Sequence, residues 1–356
     1  MISQRQQKLR ARFNALRIDA FLVTFLPHLR YLSGFSGSNG IGVVTKSGAY
    51  FLTDGRYADQ VKKEVYNWKI FVTQNSLFEE AQNRKLIRSG MRIGFDGNTL
   101  SFDQFQQLKK MFLKTKFLPK AETIEKIAAI KDEAEIANIK RAVGITDRVF
   151  SEILSLVKPG VTELDLAAEI SYRQRKHGAE ADAFETIVAS GERGALPHGR
   201  ATTKKIKHGE FVTLDFGCIY NGYHSDLTRT IAVGKPKPEG KKIYTIVLDA
   251  QQKAIDAAMN GVTGKDLDAI ARSHIRKNGY DKYFRHSLGH GLGLQIHEPP
   301  RISVLSTAVL ETGNVITIEP GIYVPGFGGV RIEDDVVIRN GNCEVLNRSP
   351  KELLIL

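Results

Sequence analysis

The spacing of apolar and polar positions changes several times along the chain. Up to Leu16 the residues Leu9, Phe13 and Leu16 recur at helical spacing among basic and amide side chains, which predicts an amphipathic helix. Short apolar runs follow at Ala20–Phe25, Ile41–Val44 and Ala49–Leu52, each of strand length. The first unit therefore reads as mixed α/β. Beyond Pro119 the helical period returns. From Asp132 the residues Ile136, Ile139, Val143, Val149, Ile153, Leu154 and Val157 share one face, until Pro159-Gly160 stops the segment. A boundary near residue 125 divides the chain into units 1–125 and 126–356. The stretch Ser33–Gly40 is rich in Gly and Ser but lacks the lysine and spacing of a phosphate-binding loop, and it reads as a plain connection.

The second unit carries an internal repeat. Gly160-Val-Thr162 precedes Asp165-Leu166 and a helical segment that stops at His177-Gly178; 101 residues later Gly261-Val-Thr263 precedes Asp266-Leu267 and a segment that stops at Asn278-Gly279. In each copy threonine can cap the helix start and glycine can end it in the left-handed conformation. Downstream, the run Gly209 to Gly217 around Asp215 aligns with Gly313 to Gly321 around Glu319, and Asp226 aligns with Glu333. Each half thus contributes a pair of carboxylates at a matching place, and a pseudo-two-fold arrangement would bring the pairs together.

Local geometry supports that grouping. Asn221-Gly222 is the strongest two-residue hairpin signal; with those residues as the loop, residue 220 faces 223 and 217 faces 226, leaving Asp215 and Asp226 as diagonal neighbours on one face. A five-residue turn at Pro325–Gly329 would let Glu319 oppose Glu333. Four carboxylates on one surface repel one another, and two divalent cations would supply the missing charge. An imidazole is expected from His286, His290 and His297, three histidines within twelve residues, with glycines flanking His290. Read as a dinucleotide fingerprint that segment fails, because Leu294 stands where the third glycine belongs. Oxygen-rich ligation with one imidazole favours Mn²⁺, Zn²⁺, Co²⁺ or Fe²⁺ over a soft-metal site.

Composition narrows the class. With 42% hydrophobic and 25% charged residues over 356 positions, the chain has enough apolar content for two packed cores. No apolar run approaches the ~18 residues of a membrane span. Two cysteines cannot build a disulfide framework, and the basic N-terminus lacks the apolar stretch of a secretory signal, so a cytoplasmic location is expected. The net charge of +12 invites a nucleic-acid reading. Residues 1–125 hold 20 basic against 10 acidic residues, leaving 31 against 29 for the remainder. Because that excess is scattered along helices and not packed in arginine-rich runs, a solvated surface explains it, and a non-catalytic binding protein is the remote alternative.

The motifs PHG at 197–199, LDFG at 214–217, SDLTR at 225–229, GHGLGLQIHE at 289–298, TIEPG at 317–321 and VRIED at 330–334 closely resemble the metallopeptidases of the pita-bread fold, which include methionine aminopeptidases, Xaa-Pro aminopeptidases and Xaa-Pro dipeptidases (prolidases). Thr53-Asp-Gly-Arg-Tyr57 resembles the creatinase-type, ribonuclease H-like α/β domain of the proline-specific branch. The resemblance implies a homodimer of two-domain chains with a dinuclear centre. Asp215 would chelate one metal, Asp226 and Glu333 would bridge both, and His290 with Glu319 would hold the other. A metal-bridging water or hydroxide would be the nucleophile, with Glu319 as proton shuttle. His198 and His297 would contact substrate and stabilise developing charge; His286, Tyr323 and Arg331 would lie near the proline pocket and behind the ligands. All five ligands are present, unlike in the metal-free relatives of this fold. The implied substrate is a peptide with proline at its second position, whose tertiary amide offers no N–H to an ordinary peptidase. Aminopeptidase activity is the first expectation and prolidase the alternative.

Overall fold

The computed structural model of the chain describes residues 2–356, so Met1 lies outside it. The described chain forms two compact units that divide between Ala128 and Ala129. The division falls a few residues beyond 125 because the short helix Glu125–Ala128 buries Ile127 within the first unit.

The first unit is built on a six-stranded sheet of β1 (Ala20–Val23), β2 (Ile41–Thr45), β3 (Ala49–Asp54), β4 (Lys69–Thr73), β5 (Arg92–Phe95) and β6 (Lys116–Pro119), in the order β4-β3-β2-β1-β5-β6. Strands β1 to β3 form an antiparallel meander, and β4, β5 and β6 join in parallel. Leu22, Val43, Leu52 and Ile93 carry its core, covered by Phe78 and Leu108 from two helices. β1 ends before the expected Phe25. Pro27 sits in the first turn of the helix Leu26–Ser33, where its missing N–H costs nothing, and so turns the apolar run from strand to helix. The N-terminal helix is likewise interrupted, into Ile2–Ala11 and Phe13–Leu16. The Ser33–Gly40 connection spends its polar groups internally: Ser36 donates its N–H to the Glu64 carboxylate at 2.8 Å, and Ser38 donates its N–H to the Tyr57 hydroxyl at 3.2 Å.

In the second unit the repeat becomes visible as geometry. Thr162 and Thr263 each accept the backbone N–H of the residue three positions on, at 3.0 and 3.1 Å, and so cap the helices Glu163–Lys176 and Gly264–Lys277. Gly178 and Gly279 follow those helices with φ of 95° and 84°, a conformation that glycine enters without a Cβ penalty. The long helices Glu133–Ile153 and Pro238–Ala257 are also present, one per half. The strands are β7 (Ala181–Asp182), β8 (Ile187–Ser190), β9 (Phe211–Phe216), β10 (Cys218–Tyr220), β11 (Tyr223–His224), β12 (Leu227–Ala232), β13 (Gly289–Gly291), β14 (Glu298–Ile302), β15 (Val315–Ile318), β16 (Gly321–Val324), β17 (Gly328–Arg331), β18 (Asp334–Ile338) and β19 (Cys343–Val345). Tyr220 pairs with Tyr223 around Asn221-Gly222, the expected register, and the same register continues to Phe216 opposite Leu227 and Asp215 opposite Thr228. Around the second hairpin the turn is tighter than expected. The Phe327 N–H bonds the Val324 carbonyl at 3.0 Å with Pro325-Gly326 between them, and Gly328 and Gly329 are already in β17. That register, Val324 opposite Gly328, continues as Ile318 opposite Asp334.

Each hairpin ladder breaks where it passes from one sheet to the next. The first break falls at residues 217 and 226, the second at 319–320 and 332–333. Asp226, Glu319 and Glu333 occupy these gaps. Apolar clusters pack behind each half, Leu214 and Phe216 with Ile145 and Val149 in one, Ile316 and Ile318 with Val247 and Ala250 in the other.

Equivalent caps should contribute equally. Thr162→Ala and Thr263→Ala are each expected to lower unfolding free energy by about 1 kcal/mol in urea titrations. A loss in one variant only would show that the two helix starts do not do the same structural work.

Candidate metal centre

Where the two hairpin ladders break, carboxylates from both halves converge with one imidazole. One donor atom from each of Asp226, His290 and Glu333 lies within 4.8 Å of the other two. His290 Nε2 is 3.7 Å from Asp226 Oδ2 and 3.5 Å from Glu319 Oε1. These separations exceed hydrogen-bond length and suit donors arranged around a cation. His290 Nδ1 lies 3.1 Å from the Gly291 carbonyl; donating there fixes the proton on Nδ1 and leaves the Nε2 lone pair facing the carboxylates.

Glycines on either side of His290 allow this placement. A Cβ on Gly289 would collide with the Thr317 carbonyl of β15, and one on Gly291 with the Pro299 carbonyl, so β13 fits between its neighbours only because both positions lack side chains. Thr317 Oγ1 accepts the His290 N–H at 3.1 Å and donates to Glu319 Oε1 at 3.3 Å, linking imidazole and carboxylate to one strand. Thr228 Oγ1 donates to Glu333 Oε2 at 2.6 Å and accepts from Arg331 Nε at 3.0 Å. The Asp226 N–H donates to Asp335 Oδ2 at 2.9 Å. Thr228, Thr317 and Asp335, which hydrogen-bond the clustered side chains, are residues that motif reading passed over. Their only signal lay inside the quoted SDLTR and TIEPG strings and in the acidic doublet Asp334-Asp335.

Asp215 stands apart from the triad because Arg331 Nη2 hydrogen-bonds and pairs with its Oδ2. Arg331 also donates from Nη1 to the Tyr323 hydroxyl at 2.7 Å and to the Pro197 carbonyl at 3.2 Å, next to His198. Tyr323 in turn lies 2.8 Å from His286 Nε2. His286 is neutral, since burial, then the Arg331 charge, pushes its pKa down to about 3, and its Nε2 accepts the Tyr323 proton. His297 stacks edge-on against His290 with ring centroids 4.4 Å apart and, like His198, is exposed. The structure thus gathers nine of the named side chains, all but His198, into two groups: Asp226, Glu319, Glu333 and His297 around His290, and Asp215, Tyr323 and His286 along Arg331, joined through Thr228. His198 joins them through the chain, as the residue after Pro197.

The electrostatics test whether a cation fits. Burial first, then Glu333 and Asp215, holds Asp226 well above the usual carboxylate range; burial and Glu319 do the same to Glu333. Burial, with the Asp215 charge opposing the Arg331 guanidinium, pushes Glu319 up to about 8, while burial lowers His290 to about 4. Asp226 Oδ1 is buried without a hydrogen-bond partner among the described residues. Acids that cannot ionise together, an imidazole that stays neutral and an orphaned carboxylate oxygen are the residues a divalent cation requires, and they fit it.

Comparison with known proteins agrees with this chemistry. Residues 137–340 match metallopeptidase family M24, and residues 5–130 match the creatinase/prolidase N-terminal domain. The chain is 41% identical to an Xaa-Pro dipeptidase of Pyrococcus furiosus over 90% of its own length and 91% of that protein. The structure of an Xaa-Pro dipeptidase from Bacillus anthracis superposes with a TM-score of 0.97 at 42% identity over the whole of both chains. An X-Pro aminopeptidase from Thermotoga maritima superposes at 0.90 and 38% identity, covering 97% of this chain and all of that one.

A pH dependence follows from the shifts. Glu319 has a folded pKa raised from 4.5 to about 8, so it favours the fold at low pH and loses that contribution as pH rises through about 8; Asp226 and Glu333 act in the same direction. His286 and His290 are lowered from 6.5, and they oppose this trend only below that value. Chelator-stripped protein should therefore lose stability between pH 6.5 and about 8, as read by urea midpoint. The loss should be smaller in Glu319→Gln. A stripped protein whose midpoint rises across that window would contradict the burial of uncompensated acids.

Proposed function

The chain belongs to metallopeptidase family M24, a metallo-exopeptidase with a creatinase/prolidase N-terminal domain and a pita-bread catalytic domain, and from that premise we propose that it hydrolyses Xaa-Pro dipeptides as a prolidase. The observation that carries the reading is the convergence of Asp226, His290 and Glu333 at 4.8 Å or less, with Glu319 beside His290, in a chain whose relatives include Xaa-Pro dipeptidases. The sequence motifs put aminopeptidase first and prolidase second; these relatives move the weight to the dipeptidase. The likeness to the Thermotoga X-Pro aminopeptidase keeps the aminopeptidase as the second reading.

In this proposal Asp215, Asp226, His290, Glu319 and Glu333 hold two divalent cations, Mn²⁺ by preference. When bound, the cations supply Lewis acidity and a water of lowered pKa. The protein's own groups do the rest. Glu319, 3.5 Å from His290 at the edge of the centre, is suited to take a proton from the attacking water and pass it to the departing imino nitrogen of proline. His297 and His198 present exposed imidazoles beside His290 and Pro197, suited to donate to the oxygen that gains charge at the scissile carbonyl. The chain Arg331 to Tyr323 to His286 lies behind this edge and fixes Asp215. The free cysteines Cys218 and Cys343 suit a reducing cytoplasm, and a homodimer is carried over from the family resemblance.

Assays on Leu-Pro beside Leu-Pro-Yaa separate the two readings: hydrolysis of the dipeptide alone identifies a prolidase, and release of leucine from the longer peptide an aminopeptidase. Chelation should abolish turnover and Mn²⁺ or Co²⁺ restore it; activity indifferent to chelator would sink the mechanism. Glu319→Gln should lower kcat by about 10² to 10⁴, the usual weight of general acid–base catalysis, and near-wild-type kcat would exclude Glu319 as proton carrier.

A further inference from the structure

A second group of metal-type donors lies wholly within the first unit. His28 stands in the helix Leu26–Ser33, Asp96 directly follows β5, and Glu125 opens the helix Glu125–Ala128. One donor atom from each lies within 4.8 Å of the other two. Asp96 Oδ2 is 3.7 Å from His28 Nδ1, and Glu125 Oε1 is 3.7 Å from His28 Nε2. Both distances are too long for hydrogen bonds. They are made by the two different ring nitrogens, only one of which can face a given cation; the set open to a cation is one His28 nitrogen with one carboxylate oxygen from each acid, all within 4.8 Å of one another.

The carboxylates supply the independent sign of a missing partner. The Asp96 side chain is 7% exposed; its Oδ1 accepts the Asn98 N–H at 2.9 Å, yet its Oδ2 is buried without a hydrogen-bond partner among the described residues. Glu125 Oε2 is buried in the same condition. Neither acid pairs with a lysine or arginine among the described residues. A proton shared between the acids would join the two orphaned oxygens to each other and leave the imidazole unused. A divalent cation satisfies both and takes a lone pair from the imidazole as well.

We propose that His28, Asp96 and Glu125 form a mononuclear divalent-cation site in the N-terminal unit, of the Zn²⁺ class, with water completing the coordination. The site ties together three elements distant in sequence: an early helix, the end of a sheet strand and the last helix of the unit. Its work is structural, since binding to the folded form alone stabilises that form by mass action.

The test uses the full chain. After equilibrium dialysis against Zn²⁺ at neutral pH, elemental analysis should find about one zinc per chain fewer in Asp96→Asn and in Glu125→Gln than in the wild type. Asp226→Asn, which alters the repeat's carboxylates, should retain this zinc. Co²⁺ added to Asp226→Asn should give visible bands of low-symmetry N/O coordination that are absent from the Asp96→Asn/Asp226→Asn double variant. Unchanged zinc content in both first-unit variants would overturn the site and leave the shared proton as the explanation. If those variants fail to fold, an anomalous difference map of zinc-soaked wild-type crystals decides: a peak among the three side chains supports the site, and its absence overturns it.

Discussion

Crowding of negative charge governs the catalytic unit. Asp215, Asp226, Glu319, Glu333 and Asp335 are all wholly or largely buried, and among the described residues only Asp215 has a direct guanidinium partner. Burial of one unpaired charge costs several kcal/mol, so such a group survives only where something positive is supplied or where protons are retained. The neighbouring structure reads as a response to that constraint. Thr228 and Thr317 spend hydroxyl protons on carboxylate oxygens, the Asp226 N–H is turned onto Asp335, and Arg331 is sunk until 4% of it is exposed. None of these donors would be needed at an exposed acidic patch.

Duplication explains how one chain can assemble such a group. A single hairpin brings two carboxylates to one face, too few to hold two cations. Doubling the unit gives two hairpins whose ladders break at matching places, and in each break the backbone stops pairing with its neighbour and the side chains turn toward the other half. The bond from the Glu333 N–H to the Thr228 carbonyl at 3.1 Å, and the reciprocal bond from Arg331 N–H to Thr230 Oγ1, stitch the two hairpins across the pseudo-two-fold. The repeat is imperfect where chemistry demands it. His290, from a strand with no ligand counterpart in the first half, adds the imidazole that four carboxylates lack.

Much of this arrangement was legible because it is written in local rules. Helix caps, the Asn-Gly turn and the period of apolar positions each depend on residues within a few places of one another, and the register around residues 221 and 222 followed from the turn alone. What was not legible depends on partners far along the chain. The tight turn at Pro325-Gly326 is set by the pairing of β16 with β17, and the strand after Ala20 is cut short by the helix that Pro27 begins. Thr228, Thr317 and Asp335 look like ordinary strand residues until their neighbours arrive from 27 to 109 positions away. The same holds for His28, Asp96 and Glu125, which share no motif and meet only through the first unit's packing.

Arg331 divides the catalytic carboxylates into two kinds. A guanidinium keeps its proton at any pH the protein meets, and the Asp215 carboxylate with the Tyr323 hydroxyl oxygen holds that proton still more firmly against the cost of burial. Asp215 is therefore neutralised permanently and from one side. Asp226, Glu333 and Glu319 have no such partner, so their charge must be balanced by something exchangeable, a proton or a metal ion. A cation held by these carboxylates would displace protons from the second kind, while Arg331 keeps the Asp215 carboxylate oriented toward them. A lysine could not replace that arginine, because the fork must reach Thr228, Tyr323, Pro197 and Asp215 at once, and a single ammonium has too few directions to do so.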